Sequence, residues 1–264
     1  MCDCQPTRRD LLIGAALAAP ALWALAGSAS PSAAATTSVD AAVPAVEVLP
    51  GLSIFPRDAW GADLPPKHAI ASETPKFLLV HHTASSNLYH SARNTMRNTY
   101  FWHTSSDPTK GWPDVAYEFF VGKEGDVWEG RAGALAGPVR ADATGGSQGF
   151  AQLVCLMGTF ETVLPTAAAQ EALVKVLAWQ ADRFQIDTSP GATTSFVSRG
   201  SQLWPAGTPV TTRTIAGHRE MSETTCPGNA FFPQIAGLPA LVQAQRAAWA
   251  SVTKPAVRLG RVSP

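Results

Sequence analysis

The sequence predicts an α/β domain, a mixed central β-sheet flanked by helices. Three observations carry this. Phe77 to His82 is a continuous apolar run that fits a strand buried on both faces, and Ala151 to Phe160 reads as a further strand. Stretches with apolar residues at helical spacing alternate with such runs, most clearly Thr166 to Phe184. Lys123-Glu124-Gly125-Asp126 lies between two further apolar runs and reads as a hairpin turn, so one strand pair is antiparallel.

The N-terminus reads as an export signal over residues 1–35. Thr7-Arg8-Arg9-Asp10-Leu11-Leu12 resembles a twin-arginine motif, an apolar run from Leu11 to Ala26 is broken by Pro20, and Ala33-Ala34-Ala35 supplies a cleavage site. The run is shorter than the ~20 residues of a spanning helix. We therefore expect export by the twin-arginine route, a secreted or cell-wall-associated product and no stable membrane anchor after cleavage. Residues 36–50, rich in Ala, Val, Thr, Ser and Pro, read as a linker. One domain is expected over 51–250, followed by a tail over 251–264.

Within the domain, Asn87 to His103 reads as a helix with Met96, Tyr100 and His103 on one side. Val115 to Val121 and Val127 to Arg131 are the hairpin strands. Gly133 to Gly149 is a loop. Pro165 and Thr166 start the best helix, with Leu173, Val176, Leu177, Gln180 and Phe184 at helical spacing. Thr188 to Thr212 is a Ser/Thr/Gly/Pro-rich insert. A strand follows from Thr214 to Gly217, then a last helix from Ala230 to Ala248.

Formal net charge is zero and 15% of residues are charged, which gives no basis for a nucleic acid or an anionic surface as partner. Of four cysteines, Cys2 and Cys4 precede the domain, so a mature chain keeps Cys155 and Cys226, too few for a disulfide framework. Soft metal ligands gather in two places. Val80-His81-His82-Thr83 ends one apolar run. Gly217-His218 ends another, and Cys226 follows eight positions later before Pro227-Gly228, a pair suited to a bend. If these stretches meet, a histidine from each and the cysteine supply three protein ligands and leave one position open, the pattern of catalytic zinc. Cys226 paired with Cys155 is the alternative, although Cys155 sits inside an apolar strand.

Four stretches stand in order: FPRDAWGA (55–62), FLLVHHTA (77–84), GWPDVAYEFFVGKEGDVWEGR (111–131) and GHREMSETTCPGNA (217–230). Together they resemble the zinc-dependent N-acetylmuramoyl-L-alanine amidases, a family that includes the peptidoglycan recognition proteins and the bacteriophage lysozyme-amidases. The insert TTSFVSRGSQLWPAGTPV (193–210) is similar to that of secreted actinobacterial members. The resemblance implies a peptidoglycan recognition protein-like fold, zinc as cofactor, and His81, His218 and Cys226 as its ligands. His82 is the alternative ligand and a candidate substrate-binding residue, although strand alternation points it to the other face. Tyr117 falls on the family's tyrosine near the metal, placed to assist at a developing oxyanion. Some phage members carry a catalytic lysine two positions before the cysteine; here that position is Thr224, which brings a hydroxyl without charge. Gly111, Trp112 and Arg131 match positions that favour a diaminopimelate carboxylate, which suits a guanidinium.

The implied partners are peptidoglycan or muropeptides. The implied reaction is hydrolysis of the amide between N-acetylmuramic acid and L-alanine, with zinc lowering the pKa of water to ~7. Two departures touch the groove. Arg140-Ala141-Asp142 stands where relatives read Gly-Ala-His, and Gly158-Thr159-Phe160 where they read GNF or GDF. A non-catalytic peptidoglycan-binding module and a zinc hydrolase of another amide are the rival readings. The cysteine argues against the first, because members that only bind typically lack it.

Overall fold

The computed structural model describes residues 43–107 and 109–253. The signal reading (1–35), the first part of the linker (36–42) and most of the tail (254–264) lie outside the described residues. A seven-stranded mixed sheet forms the centre. Its strands are β1 (Val46–Leu49), β2 (Leu52–Phe55), β3 (Phe77–His82), β4 (Phe119–Val121), β5 (Val127–Glu129), β6 (Ala151–Leu156) and β9 (Ile215–Gly217), in the order β1-β2-β5-β4-β6-β3-β9. β3 runs parallel to both β6 and β9, and β4 is antiparallel to β5. The mixed sheet predicted from the alternation of elements is therefore the observed one.

Helices cover both faces, and β3 shows why its run is wholly apolar. Leu78 and Val80 join the core beneath α3 (Ala167–Phe184) and α4 (Leu238–Thr253), with Leu173, Val176, Leu177 and Val242. Phe77 and Leu79 face the other way, into a core with Met96 and Tyr100 of α2 (Ala92–His103) and Trp60 of the short α1 (Asp58–Gly61). Each buried Leu or Val contributes roughly 1.5–3 kcal/mol of transfer free energy. That two-sided demand leaves no polar position until the strand's C-terminal end, where His81 and His82 stand.

Several boundaries differ from the sequence reading, for identifiable reasons. β1 falls inside the expected linker: Val46 and Glu47 pair with Ile54 and Ser53 across a turn at Gly51, whose φ is +74°, and Trp249 Nε1 donates to the Pro50 carbonyl at 2.9 Å. α2 starts at Ala92, not Asn87. Ser91 Oγ caps it by accepting from Asn94 N at 3.2 Å, while Asn87 is committed to Thr159. The expected strand 115–121 shortens to β4 because Ala116 N donates to His103 Nδ1 rather than to a ladder partner. The strand expected over 151–160 ends at Leu156, and that over 127–131 at Glu129.

The insert holds a two-stranded antiparallel ribbon, β7 (Thr193–Val197) and β8 (Pro209–Arg213), anchored by Phe196 opposite Val210. The last helix divides into a 3-10 stretch, Phe232–Gly237, and α4, which runs on to Thr253. Pro233 at the start of the former suits its first turn. The cap on α3 is as predicted, with Thr166 Oγ1 accepting from Ala169 N at 3.1 Å. No helix among the described residues is long and apolar enough to cross a membrane.

Candidate metal centre

The parallel pairing of β3 with β9 builds the site. Val80 is in register with Gly217, so His81, the next residue of β3, and His218, the first residue past β9, stand side by side, with ring centroids 4.2 Å apart. Cys226 returns from the following loop, its Sγ 3.7 Å from His81 Nδ1. The donor atoms of His81, His218 and Cys226 all lie within 4.8 Å of one another, and all three residues are buried. His82 is on the opposite side of the strand: its Nδ1 accepts from Phe160 N at 3.3 Å, and its ring lies 6.1 Å from that of Phe160. Strand alternation thus removes it from the ligand set and from the groove. Its backbone contributes instead, with His82 N–H donating to Cys226 Sγ at 3.3 Å. Cys155 is buried, in no disulfide and outside the ligand group, so the disulfide alternative does not hold.

The cysteine loop is held from several directions. Arg219 N donates to the Cys226 carbonyl at 3.0 Å, and its guanidinium reaches Asn229 Oδ1 at 3.0 Å and the Thr225 carbonyl. Glu161 Oε2 accepts from Asn229 N at 3.0 Å. Gly228, at φ +105°, has no room for a side chain: a Cβ there would stand 2.3 Å from the Phe160 backbone. The His218 turn is fixed by Glu220, which accepts from Gly217 N at 2.7 Å and from Arg213 of the ribbon at 2.6 and 2.9 Å. The insert therefore braces the ligand loop.

Buried histidines with nothing to bond are costly. His81 Nε2 and both ring nitrogens of His218 are buried with no hydrogen-bond partner. Burial holds the His81 pKa well below its usual 6.5, helped by His218, and burial pushes His218 down to about 3. Both are neutral at pH 7, the form that ligates metal. Two imidazoles and a thiol, with ring nitrogens left unpaired, are a donor set that fits a zinc ion.

Beside the ligands runs a groove of ≈ 450 Å³, lined by Thr83, Ser85, Tyr89, Trp102, His103 and Tyr117 among others. A groove of ≈ 480 Å³ between α3 and α4 lies away from the ligands; its acid, Glu171, is paired with Lys175. The Tyr117 ring packs 5.1 Å from that of His81. Thr224 Oγ1 accepts from Cys226 N at 3.2 Å, which orients its hydroxyl within the cysteine loop. Gly111, at φ +73°, turns the chain into Trp112, whose ring packs edge-on to His103 at 4.8 Å.

Arg131 departs from its expected role. It is 1% exposed, its Nη2 lies 2.6 Å from Asp142 Oδ2, and Nη1 donates to the Val115 carbonyl at 2.9 Å. Its charge is spent inside the protein rather than offered to the groove. Glu118, the carboxyl nearest Tyr117 in sequence, accepts from Leu153 N at 2.7 Å and is raised to about 8 by burial, and it is not among the grouped ligands.

His103 is the groove residue that sequence reasoning placed only on a helix face. Its Nδ1 accepts the Ala116 N–H at 3.0 Å, so the neutral ring carries its hydrogen on Nε2. Burial lowers its pKa to about 3, which fixes that neutral form. Helical spacing cannot separate a core histidine from one at the rim of a groove, so the only available signal was its place in the same helical turn as Trp102.

Fold and donor set together define an α/β protein with a buried His–His–Cys group, able to hold a metal ion, at parallel strand ends. The chain belongs to the N-acetylmuramoyl-L-alanine amidase family, whose profile matches residues 71–229. It is 32% identical over 187 residues to the N-acetylmuramoyl-L-alanine amidase of Homo sapiens, covering 68% of this chain and 27% of the human protein. It thus spans about a quarter of that relative's length. To peptidoglycan-recognition protein SC2 of Drosophila melanogaster it is 25% identical, with 70% and 85% covered. Among solved structures, Drosophila PGRP-LB superposes with a TM-score of 0.51 at 21% identity, over 69% of this chain and 92% of that one. A PGRP-LB mutant in complex with tracheal cytotoxin gives 0.52 at 20% identity, with the same coverage. The structural likeness establishes a shared fold.

Proposed function

We propose that this chain is a zinc-dependent N-acetylmuramoyl-L-alanine amidase that hydrolyses the amide joining N-acetylmuramic acid to L-alanine in peptidoglycan. The observation that carries the reading is Cys226, which completes a buried His–His–Cys donor set beside an open groove. His81, His218 and Cys226 would hold the ion. Bound zinc acts as a Lewis acid and lowers the pKa of water to ~7.

The chain's own residues supply the rest. Tyr117, packed against His81, would donate its phenolic hydrogen to the oxygen that gains charge during attack. His103 adds a neutral Nε2–H to the groove. Thr224 offers a hydroxyl from the cysteine loop. The groove would take the muropeptide, as the tracheal cytotoxin complex of the PGRP-LB mutant suggests by analogy of fold. The N-terminal twin-arginine reading supports a site of action outside the cytoplasm.

Mass spectrometry of purified peptidoglycan digested by the zinc-loaded protein tests this. The expected products are free stem peptides with N-terminal L-alanine and glycan stripped of its stems. Binding to peptidoglycan with every stem still attached would instead make the chain a recognition module. Tyr117→Phe should lower kcat on the order of 100-fold with zinc content unchanged, measured by muropeptide release beside metal analysis.

A further inference from the structure

We propose that the insert sets how tightly the chain holds zinc, with Arg213, Trp204 and Ser201 positioning His218 through the turn that follows it. The inference rests on the zinc reading above. A metal-binding histidine ordinarily has its ring fixed by a hydrogen bond from the second ring nitrogen to a carboxylate or a carbonyl. His218 has no such bond among the described residues, since both of its ring nitrogens are buried without a hydrogen-bond partner. With no acceptor to orient the ring, its aim depends on packing against His81, at 4.2 Å between centroids, and on the backbone that carries it.

That backbone has little support of its own. β9 ends at Gly217, and His218–Glu220 is a single 3-10 turn, too short to persist alone. Its internal bonds run from Met221 N and Ser222 N to the His218 carbonyl, at 2.8 and 3.1 Å. The next carbonyls are taken by side chains of the insert. Trp204 Nε1 donates to the Glu220 carbonyl at 2.9 Å, and Ser201 Oγ donates to that of Met221 at 2.9 Å. Arg213, at the end of β8, grips the Glu220 carboxylate with two prongs, Nε to Oε1 at 2.9 Å and Nη2 to Oε2 at 2.6 Å. Glu220 Oε2 also accepts from Gly217 N at 2.7 Å, so the grip reaches the residue directly before the ligand. Three side chains from residues 201–213 thus converge on Glu220 and Met221. The groove beside the ligands is lined by no residue of the insert, so the insert's route to the site runs through this turn. Loosening the turn lets the His218 ring leave the donor set.

Zinc affinity tests the proposal, measured on the full chain by competition with a chromophoric chelator, with zinc alone as the probe and a melting curve of each metal-free variant. Arg213→Gln should weaken zinc binding at least about tenfold, the range of a lost outer-shell partner. Trp204→Phe, which keeps an aromatic ring and removes the Nε1 donor, should weaken it about fivefold, on the order of one hydrogen bond. Arg213→Lys should recover most of the Arg213→Gln loss. Ser195→Ala removes a ribbon hydroxyl that bonds Thr211 Oγ1 at 2.9 Å on the exposed face, and it should leave zinc affinity unchanged. If Arg213→Gln fails to fold, Trp204→Phe decides alone. Zinc held as tightly by Trp204→Phe and Arg213→Gln as by the parent overturns the proposal and leaves the zinc reading standing. An equal loss in Ser195→Ala overturns it too, because the effect would then be one of ribbon stability in general. A parent chain that binds no zinc overturns both the proposal and the zinc reading.

Discussion

Replacing Cys226 with serine is expected to take zinc content from about one equivalent to near zero and to lower stem-peptide release by at least roughly three orders of magnitude, about 4 kcal/mol of barrier. The argument is one of donor chemistry. His81 and His218 remain after the change, but two imidazoles without a thiolate hold zinc poorly, and the serine hydroxyl is not ionised at neutral pH. The fold should survive. Serine nearly preserves the shape of cysteine, the loop keeps its Arg219 and Glu161 contacts, and the His82 N–H that faced Sγ meets an oxygen instead. Thermal unfolding of the variant should therefore match that of the metal-free parent, and peptide binding in the groove should persist. Metal analysis, muropeptide release and a melting curve on the same preparation check all of this. Full activity in a metal-free Cys226→Ser protein would sink the zinc-hydrolase reading.

How much of this was legible beforehand depended on whether one residue's neighbours were close in sequence. The run Phe77 to His82 announced a strand buried on both faces, and period-two alternation separated His81 from His82 without coordinates. Thr166 announced its cap, and Gly125, at φ +84°, its hairpin. These are local choices, set by a few consecutive residues. The ribbon in the insert was not visible, because Thr and Ser in Thr193–Val197 suit loop and strand alike, and its pairing is decided by the contact of Phe196 with Val210 across the turn. β1 was hidden in a stretch of linker composition and is a strand only because β2 pairs with it.

The site divides the same way. The grouping of His81, His218 and Cys226 followed from strand ends and motif order. The fate of Arg131 did not, since its partner Asp142 arrives from a loop with no periodicity, and an arginine at a strand end looks the same whether it meets solvent or a buried acid. His103 was missed for a related reason. A helix-face histidine acquires meaning only when Trp112 closes against it.

The metal-free protein should be most stable near pH 6.5 and lose stability steeply in acid, with zinc moving that loss to lower pH. His103 and His218 are held down to about 3, and His82 to about 4, chiefly by burial. A histidine whose folded pKa lies below its unfolded 6.5 contributes stability that is complete above pH 6.5 and lost as the pH falls toward the folded value. At pH 5, His103 and His218 each forfeit about 2 kcal/mol, a sizeable part of the 5–15 kcal/mol of a typical domain. Glu118 acts with the opposite sign. Its pKa is raised to about 8, so its contribution is complete below 4.5 and lost as the pH rises through 8. The histidines outnumber it on the acid side, and it acts alone between pH 6.5 and 8, which puts the maximum where the two trends meet. Zinc requires neutral imidazoles, so a bound ion must be displaced before His81 and His218 can protonate. Urea unfolding of the metal-free and zinc-loaded proteins from pH 4.5 to 8.5 measures both curves. A flat profile between pH 5 and 7 in the metal-free protein would mean that these histidines are not buried in the neutral state, and the orphaned nitrogens that point to a metal would lose their force.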